Sequence, residues 1–336
     1  MAVSVRDVAL LAQVSVGTVS NVLNSPAKVS PSTVERVLRA IDELGFVRND
    51  AARQLRAGRS RSIGLVVLDI GNPFFAEVAR GAEDRAAQSG MTVLLGNSDE
   101  SVIRETAHLD LFREQRVNGV LVTPASDDLA LLRRLQAGGV PVILVDREVE
   151  GESFDSVAVD DVEGGRLAGA HLIDIGRRRI MFVGGPQTIP QVADRLQGAR
   201  SAVAACEGAT IEVIERPALT VLQGRAAGDE ILALPADQRP DAVFAANDLL
   251  AVGLLQALAI LSDIRVPEDI ALIGYDDIDF ATATVVPLSS IRQPAHLIGS
   301  TAVDLLLRQI ADPDGDHERA VRFQPELVIR ESTAGR

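Results

Sequence analysis

The stretch from Val3 to Asn24 reads VSVRDVALLAQVSVGTVSNVLN, two short helical patterns with almost nothing between them. Ser4 is placed to cap a first helix whose Val8, Ala9, Leu11 and Ala12 share a face, and Ser15 to cap a second with Val19, Val22 and Leu23 inward. Only Gln13 and Val14 separate the first helix from the second cap, so the chain must turn abruptly, as in a helix-turn-helix. Further on, Ser30-Pro31 opens a third helix with Val34, Val37, Leu38, Ile41 and Leu44 at helical spacing, and Gly45 is suited to the left-handed position that ends it. Residues 49–58 (NDAARQLRAG) predict one more helix of about two turns, capped by Asn49 and stopped by Gly58; so short a helix is marginal in water and orders when something binds it.

Charge sets this head apart from the rest. The 336 residues carry 33 Lys plus Arg against 47 Asp plus Glu, a formal balance of −14, which excludes a uniformly basic nucleic-acid coat. Residues 1–61 hold nine basic side chains and five acidic ones, so the head is +4 and the remainder −18. A cationic head on an anionic body implies that only the head seeks a polyanion. The length allows two or three domains. The single cysteine, Cys206, forms no intramolecular disulfide and reads as a small buried residue in an Ala-rich helix. The N-terminus lacks a basic-then-apolar order, and the longest nearly apolar run, Leu249 to Leu261, is interrupted by Gln256, so a cytoplasmic protein with no membrane partner is expected.

From Ile63 onward short β-branched runs alternate with amphipathic helical stretches. The runs are Ile63–Leu68, Met91–Leu95, Gly119–Val122, Val140–Val145, Val157–Val159, Arg179–Val183, Ala242–Ala246 and Ile270–Ile273, with helices beginning near Pro73, Ser101, Asp127, Asp161, Pro190, Leu222 and Asp248. Runs apolar on both faces with crossover helices indicate doubly wound parallel sheets, and so many strands indicate two of them. No glycine-rich nucleotide motif follows the first strand, no Gly-x-Ser-x-Gly elbow occurs, and His108, His171, His296 and His317 are scattered outside any ligand spacing. No catalytic residue, metal or cofactor is expected.

Val3 to Asn24, Leu44-Gly45-Phe46 and Asn49 to Leu55 together resemble the DNA-binding head of the LacI/GalR repressors. The body is similar too: Asp69 to Phe75, Val117-Asn118-Gly119-Val120, Pro141 to Asp146, Ala246-Asn247-Asp248 and Ile273 to Asp277 stand in the family's order. The resemblance implies an all-α helix-turn-helix head on an α/β body of two subdomains with the periplasmic-binding-protein-like (type I) fold, ligand between the lobes and the chain crossing between them three times. The implied boundaries are 1–48 for the head, 49–61 for the hinge, 62–160 with 293–322 for the first lobe, and 161–292 with 323–336 for the second.

In the head, the resemblance puts Val16, Gly17 and Asn21 against base edges in the major groove. Asn21 departs from the Arg of many members; Asn favours adenine where Arg favours guanine, so a different half-site base is implied. Ser15, Thr18, Ser20, Asn24 and Ser30 are implied phosphate contacts, which fix register without reading sequence; Ser15 and Ser30 also read as plain helix caps. In the hinge, Asn49, Ala52 and Leu55 fall at the minor groove, with Leu55 as the apolar wedge that kinks the duplex. Such a wedge requires a dimer on a pseudo-palindromic operator.

In the body, Asn72, Phe74, Thr123, Asp146, Arg195, Leu219, Asn247, Asp276 and Gln293 fall where family members contact effector. Carboxylates accepting from vicinal hydroxyls, a planar Arg fork, two amides and an apolar ring face suit a polyol, hence a carbohydrate or derivative. Leu219 departs from relatives with a large aromatic there, and with nine Phe, one Tyr and no Trp in the chain a heavily aromatic purine-type pocket is disfavoured. Asn247 and Asp248 open a helix, where capping alone would explain them. The reading is a homodimeric, effector-controlled regulator of double-stranded DNA; inducer and corepressor satisfy the linkage equally. A solute-binding protein for transport and a doubly wound enzyme acting on sugars are the alternatives.

Overall fold

The computed structural model describes residues 3–46, 60–149, 154–313, 315 and 319–334. The chain forms two compact units, Met1–Ser60 and Arg61–Arg336.

In the first unit, helices α1 (Val5–Leu11), α2 (Val16–Asn24) and α3 (Pro31–Leu44) enclose a small core of Val8, Ala9, Ala12, Val19, Val22, Val37 and Ala40. Local chemistry sets each boundary. Ser4 begins α1 with its N–H and hydroxyl both donating to the Asp7 carboxylate, at 2.8 and 2.7 Å. Ser15 Oγ accepts from the Thr18 N–H at 3.0 Å to start α2. Ser30 precedes Pro31 as the cap residue of α3, but its hydroxyl donates to Thr33 Oγ1 at 2.9 Å instead of accepting from the backbone. Gly45 closes α3 at φ +59°, a left-handed conformation that costs glycine no Cβ clash.

The second unit contains β1 (Ser62–Val67), β2 (Thr92–Asn97), β3 (Val120–Val122), β4 (Val142–Val145), β5 (Asp155–Val159), β6 (Arg179–Gly184), β7 (Thr210–Glu215), β8 (Ala242–Ala245), β9 (Ala271–Asp276), β10 (Ser289–Arg292), β11 (Ala320–Phe323) and β12 (Glu326–Val328). They form two six-stranded sheets, β11-β5-β4-β3-β1-β2 and β12-β10-β9-β8-β6-β7. Both are doubly wound around buried Val, Ile and Leu runs. The pairing is parallel throughout except that β12 runs antiparallel to β10, a departure from the all-parallel expectation. The chain passes from the first sheet to the second after β5, returns after β10, and passes over again between β11 and β12; β11 carries the first sheet one residue past the expected limit at 322.

Four strands escape the sequence reading. β7 (TIEVIE) alternates polar and apolar because it is an edge strand, and β10, β11 and β12 are short and carry polar residues. The helix Ala295–Ala311, also missed, buries Ile298, Ala302, Val303, Leu305 and Leu306 in the first lobe. Cys206 lies half-buried in the turn beyond the helix Pro190–Ala204, not within a helix as expected. The apolar run from Leu249 divides into an α-helix to Leu255 and a π-helical turn to Ile260. No described helix is long and apolar enough to cross a membrane.

Candidate functional site

Two sites emerge, one in each unit. In the head, Val19 and Val22 turn inward, which leaves Val16, Gly17 and Asn21 on the exposed side of α2; Val16 is 43 % exposed. Ser15 and Asn24 are exposed on the same helix and Ser20 and Thr18 half-buried, while Ser30 is exposed at the start of α3. Ser15 and Thr18 share a 2.9 Å hydroxyl contact, and Asn24 Nδ2 donates to the Ser20 carbonyl at 2.8 Å, so this polar edge is partly self-satisfied. The hinge residues Asn49, Ala52 and Leu55 lie outside the described residues.

In the body, a cleft between the two sheets is lined by Asn72, Phe74, Asp146, Arg195, Leu219, Asn247 and Asp276. Their placement follows from the sheets. Asn72 follows β1, Asp146 follows β4, Asn247 follows β8 and Asp276 ends β9, so each sits at the carboxyl end of a strand, where open α/β sheets bind ligands. Asn72 caps the helix Pro73–Gln88, its Oδ1 accepting from the Phe74 N–H at 3.0 Å, and its Nδ2 donates to Asp276 Oδ2 at 3.1 Å. Gln293 Nε2 donates to the other oxygen of Asp276 at 2.8 Å. Gln293 lines the adjoining cavity with Asp276, and Thr123, fully buried at the end of β3 with its N–H on the Val66 carbonyl, lines neither space.

Arg195 is the cation of this constellation. Its Nε donates to Asp161 Oδ1 at 2.8 Å and its Nη1 to the Ala246 carbonyl at 2.8 Å, with Asp276 Oδ1 at 3.9 Å; the guanidinium carbon lies 3.7 Å above the Tyr275 ring centre. Burial works against its charge, but Asp161, Tyr275, Asp276 and Asp146 more than offset this and hold it protonated. Asp146 has φ +57° and Asp276 φ +104°, left-handed conformations that an aspartate adopts under structural constraint. Burial pushes both carboxyls up, reinforced at Asp146 by Asp161 and Asp276 and opposed at both by Arg195. Gln191 Nε2 donates to the Asp146 carbonyl at 2.8 Å and to Oδ2 at 3.2 Å, while Asp146 Oδ1 is buried without a partner.

Asn247 does cap its helix, accepting from the Leu250 N–H at 2.9 Å, and its Nδ2 donates to the Leu219 carbonyl at 3.2 Å. Asp248 is fully buried; it accepts from Ser290 Oγ at 2.7 Å and the Ile278 N–H at 2.9 Å, which pins the loop that follows Asp276. Sequence reasoning missed Gln191 as a lining residue of the cleft, and Asp161 and Tyr275 as the buried groups that hold Arg195. Tyr275 left one signal, as the only tyrosine in the chain and in an otherwise apolar run. No group of His, Cys, Asp and Glu among the described residues could hold a metal ion.

A family model described as bacterial regulatory proteins, lacI family, matches residues 4–49, and one described as a periplasmic binding protein-like domain matches residues 170–333. The chain is 35 % identical over 336 residues to the HTH-type transcriptional repressor PurR of Aliivibrio fischeri, covering 99 % of each chain. Among solved structures it resembles the lac repressor dimer bound to operator and the anti-inducer ONPF (TM-score 0.86, 27 % identity, 99 % of each chain). It also resembles a LacI family transcriptional regulator from Enterococcus faecium with bound ribose (TM-score 0.73, 31 % identity, 82 % of this chain and 99 % of that one).

Proposed function

This chain belongs to the lacI family of bacterial regulatory proteins, a transcriptional repressor with DNA-binding and effector-binding domains, and from that premise we propose that it is a homodimer whose hold on a pseudo-palindromic operator is set by a small sugar in the body cleft. The observation that carries the sugar reading is the Asn72–Asp276–Gln293 hydrogen-bonded set beside Arg195, planar amides and carboxylates converging at the ends of strands from both sheets. Carboxylates accept from vicinal hydroxyls and amides both donate to and accept from them, and Phe74 and Leu219 supply apolar faces for ring carbons. The Enterococcus regulator with bound ribose adds support. Binding, not turnover, is the activity in this reading.

In the head, Val16, Gly17 and Asn21 are assigned to base edges, Ser15, Thr18, Ser20, Asn24 and Ser30 to phosphates, and Leu55 with Asn49 and Ala52 to the minor groove at the dyad. Sugar held between the lobes, 62–160 with 293–322 and 161–292 with 323–336, changes their angle and hence the separation of the two heads in the dimer. The lac repressor dimer on its operator supports the dimeric arrangement. Titration of a randomised duplex pool with the full chain tests this. Enrichment of an inverted repeat, with affinity that falls steeply with salt, is expected; equal affinity for every duplex at every ionic strength overturns the reading.

A further inference from the structure

The cleft holds more carboxylate than its own donors satisfy. Asp69, Glu100, Asp146 and Asp276 line it with one cation, Arg195, whose Nε and Nη1 are already committed to Asp161 and the Ala246 carbonyl. Asp276 is satisfied by Asn72 and Gln293, but Asp146 Oδ1 is buried and unpartnered, and so is Gln293 Oε1 in the adjoining cavity. Gln293 Oε1 accepts, and Asp146 Oδ1 does so whenever that carboxyl is ionised, so a ligand that brings donors satisfies both. At the mouth, Glu100 is half-buried at φ +55°, on the turn between β2 and the helix Val102–Glu114. Burial pushes its carboxyl up, and Asp69 and Asp99 add to this. Asp99 is paired with Arg104 at 2.7 Å, whereas Asp69 lines the cleft together with Glu100.

A phosphate ester adds close to two negative charges and only acceptor oxygens near neutral pH. In this cleft it would meet like charge at the mouth and unpartnered oxygens inside, with Arg195 the one cation among the lining residues and two of its three nitrogens already bonded to protein oxygens. We propose that the Asp69–Glu100 pair, together with the unpartnered Asp146 Oδ1, makes the cleft select the unphosphorylated sugar and reject its phosphate ester. Specificity then comes from repulsion of the wrong ligand as much as from contacts to the right one. The inference rests on the sugar reading above.

Calorimetric titration of the full chain with D-ribose, D-ribose 5-phosphate, D-glucose and D-glucose 6-phosphate tests it, with the Asp69→Asn/Glu100→Gln double variant alongside. The expected result is that a free sugar binds the unaltered protein at least about 100-fold more tightly than its ester, and that the double variant narrows this ratio about tenfold or more. An ester that binds as tightly as the free sugar, or an unchanged ratio in a double variant that still binds free sugar, overturns the proposal and leaves the sugar reading standing. An ester that binds when neither free sugar does overturns the proposal as well. Absence of binding by all four compounds removes the sugar reading and the inference with it.

Discussion

Asn72 and Asp276 stand 204 positions apart in sequence, and a 3.1 Å hydrogen bond joins them across the cleft, Nδ2 donating to Oδ2. Asn72 follows a strand of the first sheet and Asp276 ends a strand of the second, so this bond ties one lobe to the other. The amide does so while capping its own helix through Oδ1. Replacing Asn72 by Ala removes both functions. The expected loss is about 1–2 kcal/mol of stability from the cap alone, read as a lower Tm, together with at least tenfold weaker D-ribose binding. An unchanged Tm contradicts the capping role, and unchanged ribose affinity contradicts the cleft role.

Arg195 is held by Asp161, a backbone carbonyl and the Tyr275 ring, all buried. Arg195→Ala strands the Asp161 carboxylate, for which about 3–5 kcal/mol of destabilisation is expected. Arg195→Lys keeps the charge but loses the planar fork, so it should retain more stability than the Ala variant and still bind ribose poorly. Thermal melts with and without ribose distinguish the two effects. Full ribose-induced stabilisation in the Lys variant would show that the fork is not part of the site.

The helix that carries Arg195 packs against Asp161–Asp174 through glycine. A Cβ on Gly165 would collide with the Arg195 carbonyl, and one on Gly198 with the Val162 carbonyl, so the two backbones approach as closely as they do only because neither residue has a side chain. Gly165→Ala forces the helices apart. The expected outcome is destabilisation of about 1–3 kcal/mol with weakened ribose binding, because Arg195 moves with its helix. Calorimetry on the purified variant checks both, and tight ribose binding would show that the arginine tolerates the shift.

How far the sequence carries this account depends on how local each determinant is. Ser30-Pro31 and Gly45 mark the ends of α3 because capping acts within a few residues, and the buried Val-Ile-Leu runs reveal the central strands because their burial is written in composition. The edge strand Thr210–Glu215 is illegible by that criterion, since its alternation answers to water on one face. In the cleft, Asn72, Asp146, Arg195 and Asp276 were accessible through family motifs. Gln191 and Asp161 were not, because each acts through a partner, Asp146 and Arg195 respectively, that is 45 and 34 positions away. Thr123 shows the converse: a motif position that the fold buries at a strand end, its hydroxyl unpartnered and its side chain outside the lining of either space.

The raised pKa of Asp146 predicts a pH-dependent stability difference. A carboxyl held above its ordinary value binds its proton more tightly in the folded state, so its ionisation destabilises the fold as pH rises from the ordinary carboxyl range through the raised folded value. Asp146→Asn abolishes this. The variant without ligand should melt a few degrees higher than the unaltered protein near neutral pH, and the gap should close as the pH is lowered toward the ordinary carboxyl range. Ribose binding should weaken in the same variant. A stability gap that widens on acidification contradicts the assignment.

Asn21 occupies the exposed face of α2 beside Val16 and Gly17. Asn21→Arg should shift the preferred half-site base from adenine toward guanine, with about 1–3 kcal/mol of discrimination, measured by selection from a randomised duplex pool. Identical selected sequences for both proteins would remove Asn21 from base readout.

The central claim is that sugar in the body cleft governs the affinity of the head for DNA. Fluorescence anisotropy of the full chain on its selected inverted-repeat duplex, with and without saturating D-ribose, tests this most directly. The account predicts a change in duplex affinity of at least about fivefold, in either direction, that Arg195→Lys largely abolishes. Ribose that binds the chain, as seen by calorimetry, while leaving duplex affinity unchanged would contradict it.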